Sequence, residues 1–280
     1  MNSGEKLHSK IKIAFFDVDG TLLPLGVKEP SNKIIYTLKE LQKNGVILCM
    51  ATGRGVLARP KLKGIQFDAY ITFNGSYCFT DEEMIHSCPI PKADVLQILE
   101  NTRRMGRPIV ISNDKFIVAN GMDENLKTYF SFGGENIAID EEFDDKCKDD
   151  IYQIMLGCES SEYEEILRGT KGTSVTAWWD RAADLIPSES GKGRAVQSIL
   201  GYYGFSKKEA IAFGDGRNDI EMLGAVGRGI AMGNAGEEVK SIADETCKNV
   251  EDDGIYYYCV ENGLIEPYQA FLADEAPVYN

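Results

Sequence analysis

The sequence has no apolar run long enough to cross a membrane, which takes about 18 consecutive apolar residues. Its N-terminal segment, MNSGEKLHSK, also lacks the apolar core of a secretory signal peptide. These absences predict a cytoplasmic protein without a membrane partner.

Cysteine pairs at metal-binding or redox spacing are missing as well. The chain of 280 residues has seven cysteines, an odd number, and none of them forms a CxxC pair. This usage is typical of free thiols in a reducing compartment. Only two histidines, His8 and His86, are present. We interpret both as surface residues, because two histidines cannot supply a metal cluster or a catalytic triad between them.

Basic residues are too few for a nucleic-acid binder. Lysine and arginine number 30 against 44 aspartates and glutamates, which gives a net charge of −14. A small phosphorylated substrate stays possible, because a few local cations or a metal ion decide its binding. The length favours two domains, or one domain with a large insertion. We expect a monomer or a small homo-oligomer, since the sequence does not distinguish the two.

Apolar runs alternate with amphipathic helical segments towards both ends of the chain. The predicted buried strands of the first part are Ile11–Phe16, Val46–Ala51 and Ala69–Phe73. A helix is predicted over Pro30–Gly45, and a short, weaker one after Arg54. The same alternation returns in the last third. It predicts an α/β fold with a doubly wound, parallel, Rossmann-like sheet.

The middle third mixes hairpins with helices, which predicts a separate α+β unit inserted into this core. We therefore assign residues 1–80 and 187–280 to the core and residues 81–186 to the inserted cap domain. Trp178 and Trp179 are adjacent in the insert, so on a strand they would face opposite sides. One could pack inside the insert while the other shapes substrate specificity.

Two acidic residues, Asp17 and Asp19, come at the end of the first strand. On an extended backbone, residues two apart point the same way, so the two carboxylates would share one small site. Gly20 would let the chain turn sharply beside them. Like charges this close need a metal cation or a proton on one of them. The alternative interpretation is an ordinary turn.

Other polar residues lie at the ends of further predicted strands. Thr52 follows the second strand, Asp215 follows a later one, and Lys192 opens the helix before that strand. Asn218 and Asp219 come in the next turn. Ligands bind at the carboxyl ends of strands in open α/β sheets. The predicted site therefore combines up to four acids, a hydroxyl and a lysine at one edge of the sheet.

These residue types suit phosphoryl transfer. Asp17 is the candidate nucleophile, and its attack would give an aspartyl phosphate. Asp19 is the candidate acid and base, which would protonate the leaving oxygen and then deprotonate water. Thr52 and Lys192 would bind the transferring phosphoryl oxygens. Asp17 and Asp215 would hold a Mg²⁺ ion, which takes oxygen ligands and removes the repulsion between carboxylate and phosphate.

Four segments together resemble the motifs of the haloacid dehalogenase (HAD) superfamily of phosphohydrolases, in the order of that family. They are Asp17-Val18-Asp19-Gly20-Thr21, Thr52-Gly53-Arg54, Lys192, and Gly214-Asp215-Gly216-Arg217-Asn218-Asp219. The insertion between the second and third motifs resembles the cap of the Cof-like subgroup, subclass IIB. Asn74-Gly75 and Met232-Gly233-Asn234-Ala235 are similar to that subgroup too, and the resemblance covers residues 11–265.

The resemblance implies a Mg²⁺-dependent phosphatase whose cap closes over a small phosphorylated metabolite. It also implies that the backbone carbonyl of Asp19 joins the metal ligands. Asp219 is a further candidate ligand, with a structural role as its alternative. Structural hydrogen bonds are also the alternative for two of the candidate substrate-binding residues, Arg54 and Asn74. The full candidate substrate-binding set is Gly53, Arg54, Asn74 and Asn218.

Two other functions would use similar residues. A phosphomutase would use the same two aspartates but return an isomerised sugar phosphate in place of free phosphate. A phospho-receiver module would only store phosphate on an aspartate, and the inserted middle third argues against it. The leading hypothesis is hydrolysis of a small phosphomonoester, either a sugar phosphate or a phosphorylated cofactor.

Overall fold

The computed structural model describes residues 10–133 and 136–268, and within them the strands form two sheets. The strands are β1 (Ile13–Asp17), β2 (Ile47–Ala51), β3 (Ala69–Thr72), β4 (Tyr77–Phe79), β5 (Met84–Ser87), β6 (Ile109–Ser112), β7 (Ile117–Ala119), β8 (Gln153–Gly157), β9 (Thr173–Trp179), β10 (Ala182–Pro187), β11 (Ala210–Gly214), β12 (Arg228–Ala231) and β13 (Glu245–Thr246). The helices are α1 (Asn32–Lys43), α2 (Lys92–Arg104), α3 (Glu124–Gly133), α4 (Phe143–Lys146), α5 (Tyr163–Ile166), α6 (Lys192–Tyr203), α7 (Ile220–Ala225), α8 (Glu237–Ile242) and α9 (Gly254–Glu261). Among these helices none has the length and apolar character that a membrane crossing requires.

The larger sheet has eight strands in the order β13-β12-β11-β1-β2-β3-β4-β5. β1 pairs in parallel with β2 on one side and with β11 on the other. β3, β12 and β13 continue the parallel part. This arrangement confirms the predicted α/β fold with a doubly wound parallel sheet.

The central strand β1 is buried on both faces. Ala14 and Phe16 face the layer that contains α1 and α9, whereas Ile13 and Phe15 face the layer that contains α6 and α7. An uninterrupted apolar run is therefore required along the strand. The first position in it that can carry a charge is Asp17, at the carboxyl end of the strand.

The smaller sheet has the order β7-β6-β8-β10-β9, and its neighbouring strands are antiparallel. Its two faces are covered by different helices. α2 and α5 pack on one face, around Ile98 and Leu185. α3 covers the other face through Leu126 and Met155. The predicted mixture of hairpins and helices in the middle third is present.

The hairpin of β4 and β5 belongs to the larger sheet, where it is antiparallel to β3. The boundary suggested by the sequence, after residue 80, assigns β5 to the inserted unit. In the structure β5 pairs with β4 and extends the larger sheet instead. A hairpin has the same sequence pattern whichever sheet it extends, and here Ile85 of β5 packs against the core of the larger sheet. The chain thus leaves the larger sheet after Ser87 and returns to it after Pro187.

The short helix expected after Arg54 is wrong. Turns and irregular backbone occupy residues 55–68. Gly55 and Pro60 leave too few residues between them to nucleate a helix. Of the adjacent tryptophans, Trp179 is half-buried. The side chain of Trp178, as well as His8 and the residues after Tyr268, lie outside the part of the chain that the structure describes.

The cysteines are all free thiols, as their odd number and scattered positions indicate. Five of them are buried, namely Cys49, Cys78, Cys147, Cys158 and Cys259. Burial raises the pKa of Cys147 and of Cys158 to about 12. The buried thiols are therefore poor nucleophiles at neutral pH.

Candidate active site

Three carboxylates meet at the carboxyl edge of the larger sheet. Asp17 is the last residue of β1, and Asp215 and Asp219 follow β11. One oxygen atom of each lies within 4.8 Å of those of the other two. Asp17 and Asp219 are buried, and Asp215 is partly exposed. The edge that the sequence predicted thus brings together residues about two hundred positions apart in the chain.

Lys192, the first residue of α6, is buried between two of these carboxylates. Its Nζ donates to Asp17 Oδ1 at 2.5 Å and to Asp219 Oδ1 at 2.6 Å. Burial lowers the pKa of Lys192, but the charges and hydrogen bonds of the two carboxylates outweigh this effect and raise its pKa above the ordinary value. Lys192 is therefore charged at neutral pH in this site.

One lysine does not neutralise three carboxylates. When all are ionised, three negative charges and one positive charge leave a net charge of −2 in a mostly buried space. Burial, followed by the charge of Asp219, raises the pKa of Asp17 well above its ordinary value. An all-oxygen donor set with this excess charge fits a divalent metal ion.

Asp215 is held by the loop that follows β1. Thr21 Oγ1 donates to Asp215 Oδ1 at 2.8 Å. Gly20 has a φ of +90°, and a Cβ atom there would lie 2.2 Å from Asp215 Oδ2, so only glycine fits this turn. Asn234 Nδ2 donates to the backbone oxygen of Gly20 at 2.9 Å. Burial raises the pKa of Asp215 to about 6, although the hydrogen bond from Thr21 opposes the shift.

Asp219 has both of its carboxylate oxygens engaged. Oδ2 accepts from the backbone N–H groups of Asp215 at 3.1 Å and of Gly216 at 2.9 Å. Oδ1 accepts from Lys192. The sequence left open whether this residue is a metal ligand or structural. Its hydrogen bonds to the turn and to Lys192 are those of the structural alternative, while its position in the three-carboxylate cluster is that of a ligand.

The side chain of Asp19 takes a different direction. Arg54 Nε donates to Asp19 Oδ2 at 2.9 Å, and Arg54 Nη2 donates to Asp19 Oδ1 at 2.6 Å. The carboxylate cluster of the described residues contains Asp17, Asp215 and Asp219, and the Asp19 carboxylate lies beside it, paired with Arg54. That Asp17 and Asp19 act in one small site stays a prediction. β1 ends at Asp17, so the alternation of an extended strand does not reach Asp19.

Thr52 and the candidate substrate-binding residues form the adjoining part of the site. Thr52 is buried, and its Oγ1 accepts from the backbone N–H of Arg54 at 3.1 Å. Asn218 Nδ2 donates to Asn74 Oδ1 at 2.9 Å. Gly53 lies against the same amide, because a Cβ atom there would be 3.0 Å from Asn74 Oδ1. Asn74 and Asn218 therefore hold each other in position.

Sequence reasoning did not assign roles to Thr21 and Asn234. Both belong to segments that resemble family motifs, so the signal was present. The sequence does not show which residues they contact. Thr21 donates to Asp215, and Asn234 donates to the backbone oxygen of Gly20 and to Asp215. These hydrogen bonds form only when folding brings the loops together.

Comparison with known proteins places this site in a family. The model of the haloacid dehalogenase-like hydrolases matches residues 14–259, which is most of the chain. The chain belongs to the haloacid dehalogenase-like hydrolase family.

Three relatives describe the position of this hydrolase in the family. It is 30% identical over 260 residues to YkrA of Bacillus subtilis, which is named as a candidate phosphatase, and the match covers 91% of this chain and 99% of YkrA. It is 28% identical over 237 residues to the HMP-PP phosphatase of Enterobacter sp. strain 638, covering 80% of this chain and 85% of the relative. The solved structure of the HAD subclass IIB sugar phosphatase BT4131 superimposes with a TM-score of 0.81 at 29% identity, covering 91% of this chain and all of that one. The predicted superfamily, subclass and enzyme class, a phosphatase, are confirmed.

Proposed function

We propose that this hydrolase cleaves a small phosphomonoester through a covalent aspartyl phosphate on Asp17, with Mg²⁺ as its metal. The observation that carries the proposal is the placement of Asp17. It is buried at the end of the central strand, one of its oxygens accepts from Lys192, and two further carboxylates lie beside it. A phosphate group that enters this site meets both a nucleophile and a fixed cation.

The proposed reaction has two steps. In the first, Asp17 Oδ2 attacks phosphorus, the bond from phosphorus to the leaving oxygen breaks, and Asp19 gives its proton to that oxygen. In the second, water attacks the phosphorus of the aspartyl phosphate, its proton passes to Asp19, and the Asp17 carboxylate is released with inorganic phosphate. Lys192 and Thr52 stabilise the charge on the phosphoryl oxygens.

The ion pair of Asp19 with Arg54 has to rearrange before Asp19 can act. Both side chains are more than one-third exposed, at 38% and 39%. A pair this exposed contributes at most about 1 kcal/mol, so its rearrangement is inexpensive. Arg54 can then turn its guanidinium to the incoming phosphate, which suits its bidentate geometry.

Asp17, Asp215 and the backbone carbonyl of Asp19 are the proposed ligands of Mg²⁺. When bound, the ion supplies charge neutralisation between the nucleophile and the phosphoryl oxygens. Asp219 supports this set indirectly, because it fixes the turn that carries Asp215 and accepts from Lys192.

The proposed substrate is a small phosphorylated metabolite. Relatives of this hydrolase are named for HMP-PP and for sugar phosphates, which share a phosphate group and a small leaving group. We assign the unit built on the smaller sheet to the cap that contacts the leaving group. We do not expect nucleic acid as a partner, because the net charge is −14. The free cysteines are consistent with a cytoplasmic location. The proposed oligomeric state is a monomer or a small homo-oligomer.

The test is phosphate release from a panel of sugar phosphates and phosphorylated cofactors, with purified protein and Mg²⁺. Asp17→Asn removes the nucleophile, so turnover should fall by about a thousandfold or more. Asp184→Asn is the matched control, because it makes the same change at a buried carboxyl of the smaller sheet, and its turnover should stay within about twofold. Appreciable turnover by Asp17→Asn would reject Asp17 as the nucleophile, and an isomerised ester without free phosphate would identify a mutase.

A further inference from the structure

The turn that follows β3 has an unusual backbone. Phe73, Asn74 and Gly75 have φ values of 52°, 55° and 102° in succession. Glycine adopts the left-handed region freely and asparagine tolerates it, but a bulky aromatic residue does so only when its surroundings impose it. The contacts of Phe73 therefore have to explain this conformation.

The backbone of this turn contacts two segments of the active site. The N–H of Phe73 donates to the backbone oxygen of Arg54 at 3.0 Å, and the N–H of Asn74 donates to that of Thr52 at 3.2 Å. On the other side, a Cβ atom on Gly75 would lie 2.4 Å from the backbone oxygen of Gly191. The turn thus separates the Thr52–Arg54 loop from the start of α6, where Lys192 lies.

The ring of Phe73 points to the smaller sheet. It is fully buried and stacks on Tyr152, with ring centroids 5.5 Å apart and an interplanar angle of 25°. Tyr152 directly precedes β8, and its hydroxyl group is hydrogen-bonded to that of Ser87 at 2.9 Å. Gly55 closes the opposite side, since a Cβ atom there would lie 2.6 Å from the Phe73 ring. Tyr152 also packs against Tyr77 of β4, with ring centroids 5.0 Å apart. Through Tyr152, aromatic contacts therefore join the smaller-sheet unit to the turn and to the neighbouring strand of the larger sheet.

We propose that Phe73 is a positioning residue and that Tyr152 is its anchor. The stack keeps Phe73 in the left-handed region, and this conformation keeps Asn74 against Asn218 and Gly75 against the residue before Lys192. The position of the smaller-sheet unit is thereby coupled to the groups that bind phosphate. This inference rests on the proposed function for its kinetic consequence only, because the coupling itself is a property of the fold.

Hydrogen exchange tests the coupling without any substrate. Tyr152→Leu removes the stacked ring, so the amide protons of Phe73 and Asn74 should exchange about tenfold faster, a change that corresponds to about 1.4 kcal/mol. Tyr152→Phe keeps the ring and loses only the hydroxyl, and it should stay within about twofold of the wild type. Phe73→Leu removes the other ring and should accelerate exchange at Asn74 in the same way, which provides a second variant if Tyr152→Leu does not fold.

The matched control is Tyr70→Leu. Tyr70 is also a buried tyrosine in a stacked pair, with Phe79 at 5.0 Å, but both rings belong to the larger sheet. Its loss should leave exchange at Phe73 and Asn74 within about twofold of the wild type, as no contact between the two units is removed. The proposal is overturned if the Tyr152→Leu and Phe73→Leu variants that fold leave exchange unchanged, or if Tyr70→Leu or Tyr152→Phe accelerates it equally.

Steady-state kinetics with p-nitrophenyl phosphate adds a second readout. Misplaced phosphate-binding groups reduce transition-state stabilisation, so Tyr152→Leu should lower kcat about tenfold with KM within about twofold, and Tyr152→Phe should restore kcat. A fall in kcat that Tyr152→Phe does not restore contradicts the proposal. If the wild type hydrolyses no phosphate ester, the proposed function fails, while the exchange result still decides the coupling.

Discussion

At the scale of single residues, Lys192 determines the charge state of the site. Its side chain is fully buried and serves two carboxylates at once. A buried ion pair often contributes little net stability, but removal of one partner is costly because it leaves the other charged and without a counterion. Among the residues that the structure describes, Lys192 is the cation that pairs with Asp17 and Asp219, so its loss should destabilise this edge of the sheet.

Lys192→Met should lower the free energy of unfolding by about 3–5 kcal/mol at pH 7 in EDTA, since Asp17 and Asp219 lose their buried cation. The deficit should shrink as the pH falls, because the already raised pKa of Asp17 lets that carboxyl take up a proton first. Urea unfolding across a pH series measures both effects. Lys43→Met changes a lysine that is 71% exposed and should cost less than about 1 kcal/mol. Equal losses in the two variants would contradict the proposed role of Lys192.

Asn74 gives a second prediction at this scale. Its φ of 55° is unfavourable for a residue that has a Cβ atom but, unlike asparagine, no polar side chain to hydrogen-bond locally. Asn74→Gly should therefore be more stable than Asn74→Ala by about 1 kcal/mol, although glycine is normally the less stable choice. Chemical denaturation of the two variants gives the comparison. The usual order, with alanine more stable, would show that residue 74 is not left-handed in solution.

The residues of the site were predictable to different degrees. Asp17, Asp215 and Lys192 could be located because each lies at the end of a buried strand or at the start of a helix, where sequence patterns are strongest. The ion pair of Asp19 with Arg54 could not be predicted. Side chains point alternately to the two faces of the sheet only within a strand, and β1 ends at Asp17. Loop conformation, which decides this pair, has no periodic signal.

At the scale of the elements, strand β10 carries a buried carboxyl outside the active site. Asp184 Oδ1 accepts from Tyr129 at 2.8 Å. Burial raises the pKa of Asp184 to about 6, and hydrogen bonds from Tyr129 and Gln153 only partly oppose the shift. The folded state thus binds this proton more tightly than the unfolded state, for which 3.8 is the reference value. Its ionisation destabilises the fold as the pH rises from about 4 through about 6.

Asp184→Asn should therefore stabilise the protein at neutral pH, because an amide oxygen can still accept from Tyr129 and no charge is buried. The gain should be about 1–3 kcal/mol at pH 7 and should fall below about 1 kcal/mol near pH 4, where the folded carboxyl is protonated and the unfolded one, with its reference value of 3.8, is about half protonated. Thermal unfolding from pH 4 to pH 8 measures the difference. A gain that does not depend on pH would show that ionisation of Asp184 is not its cause.

The elements themselves were predictable where apolar periodicity is long. α1 could be identified from its apolar face, with Ile34, Leu38 and Leu41 buried and Ser31 as the N-cap. The segment after Arg54 could not, because Gly55 and Pro60 outweigh its helix-forming residues. The sheet to which β5 belongs was also beyond sequence reasoning, since pairing partners are chosen by tertiary packing.

At the scale of the whole molecule, acidic residues outnumber basic ones, and three of the carboxylates meet in the active site. The −14 charge of the chain raises the local concentration of cations around it. The three-carboxylate cluster is one place where a divalent ion would relieve repulsion in the folded state only. Binding to the folded state alone stabilises it by mass action.

Mg²⁺ should raise the melting temperature of the protein, with a gain of about 2.7 kcal/mol at a concentration one hundred times its dissociation constant. EDTA should reverse the gain and silence phosphate release, and added Mg²⁺ should restore both. Asp215→Asn should lose most of the Mg²⁺-induced shift, whereas Asp184→Asn should keep it, since its carboxyl lies in the smaller sheet. A shift of equal size in the two variants would exclude Asp215 as a ligand.

The buried cysteines have one more consequence for experiments. Cys147 and Cys158 belong to the core of the smaller sheet, and Cys49, Cys78 and Cys259 to that of the larger one. An alkylating reagent should modify them only when the surrounding core opens. Mass spectrometry of timed alkylation would then report the opening rate of each core separately, so the unmodified protein already carries reporters that distinguish independent from concerted unfolding.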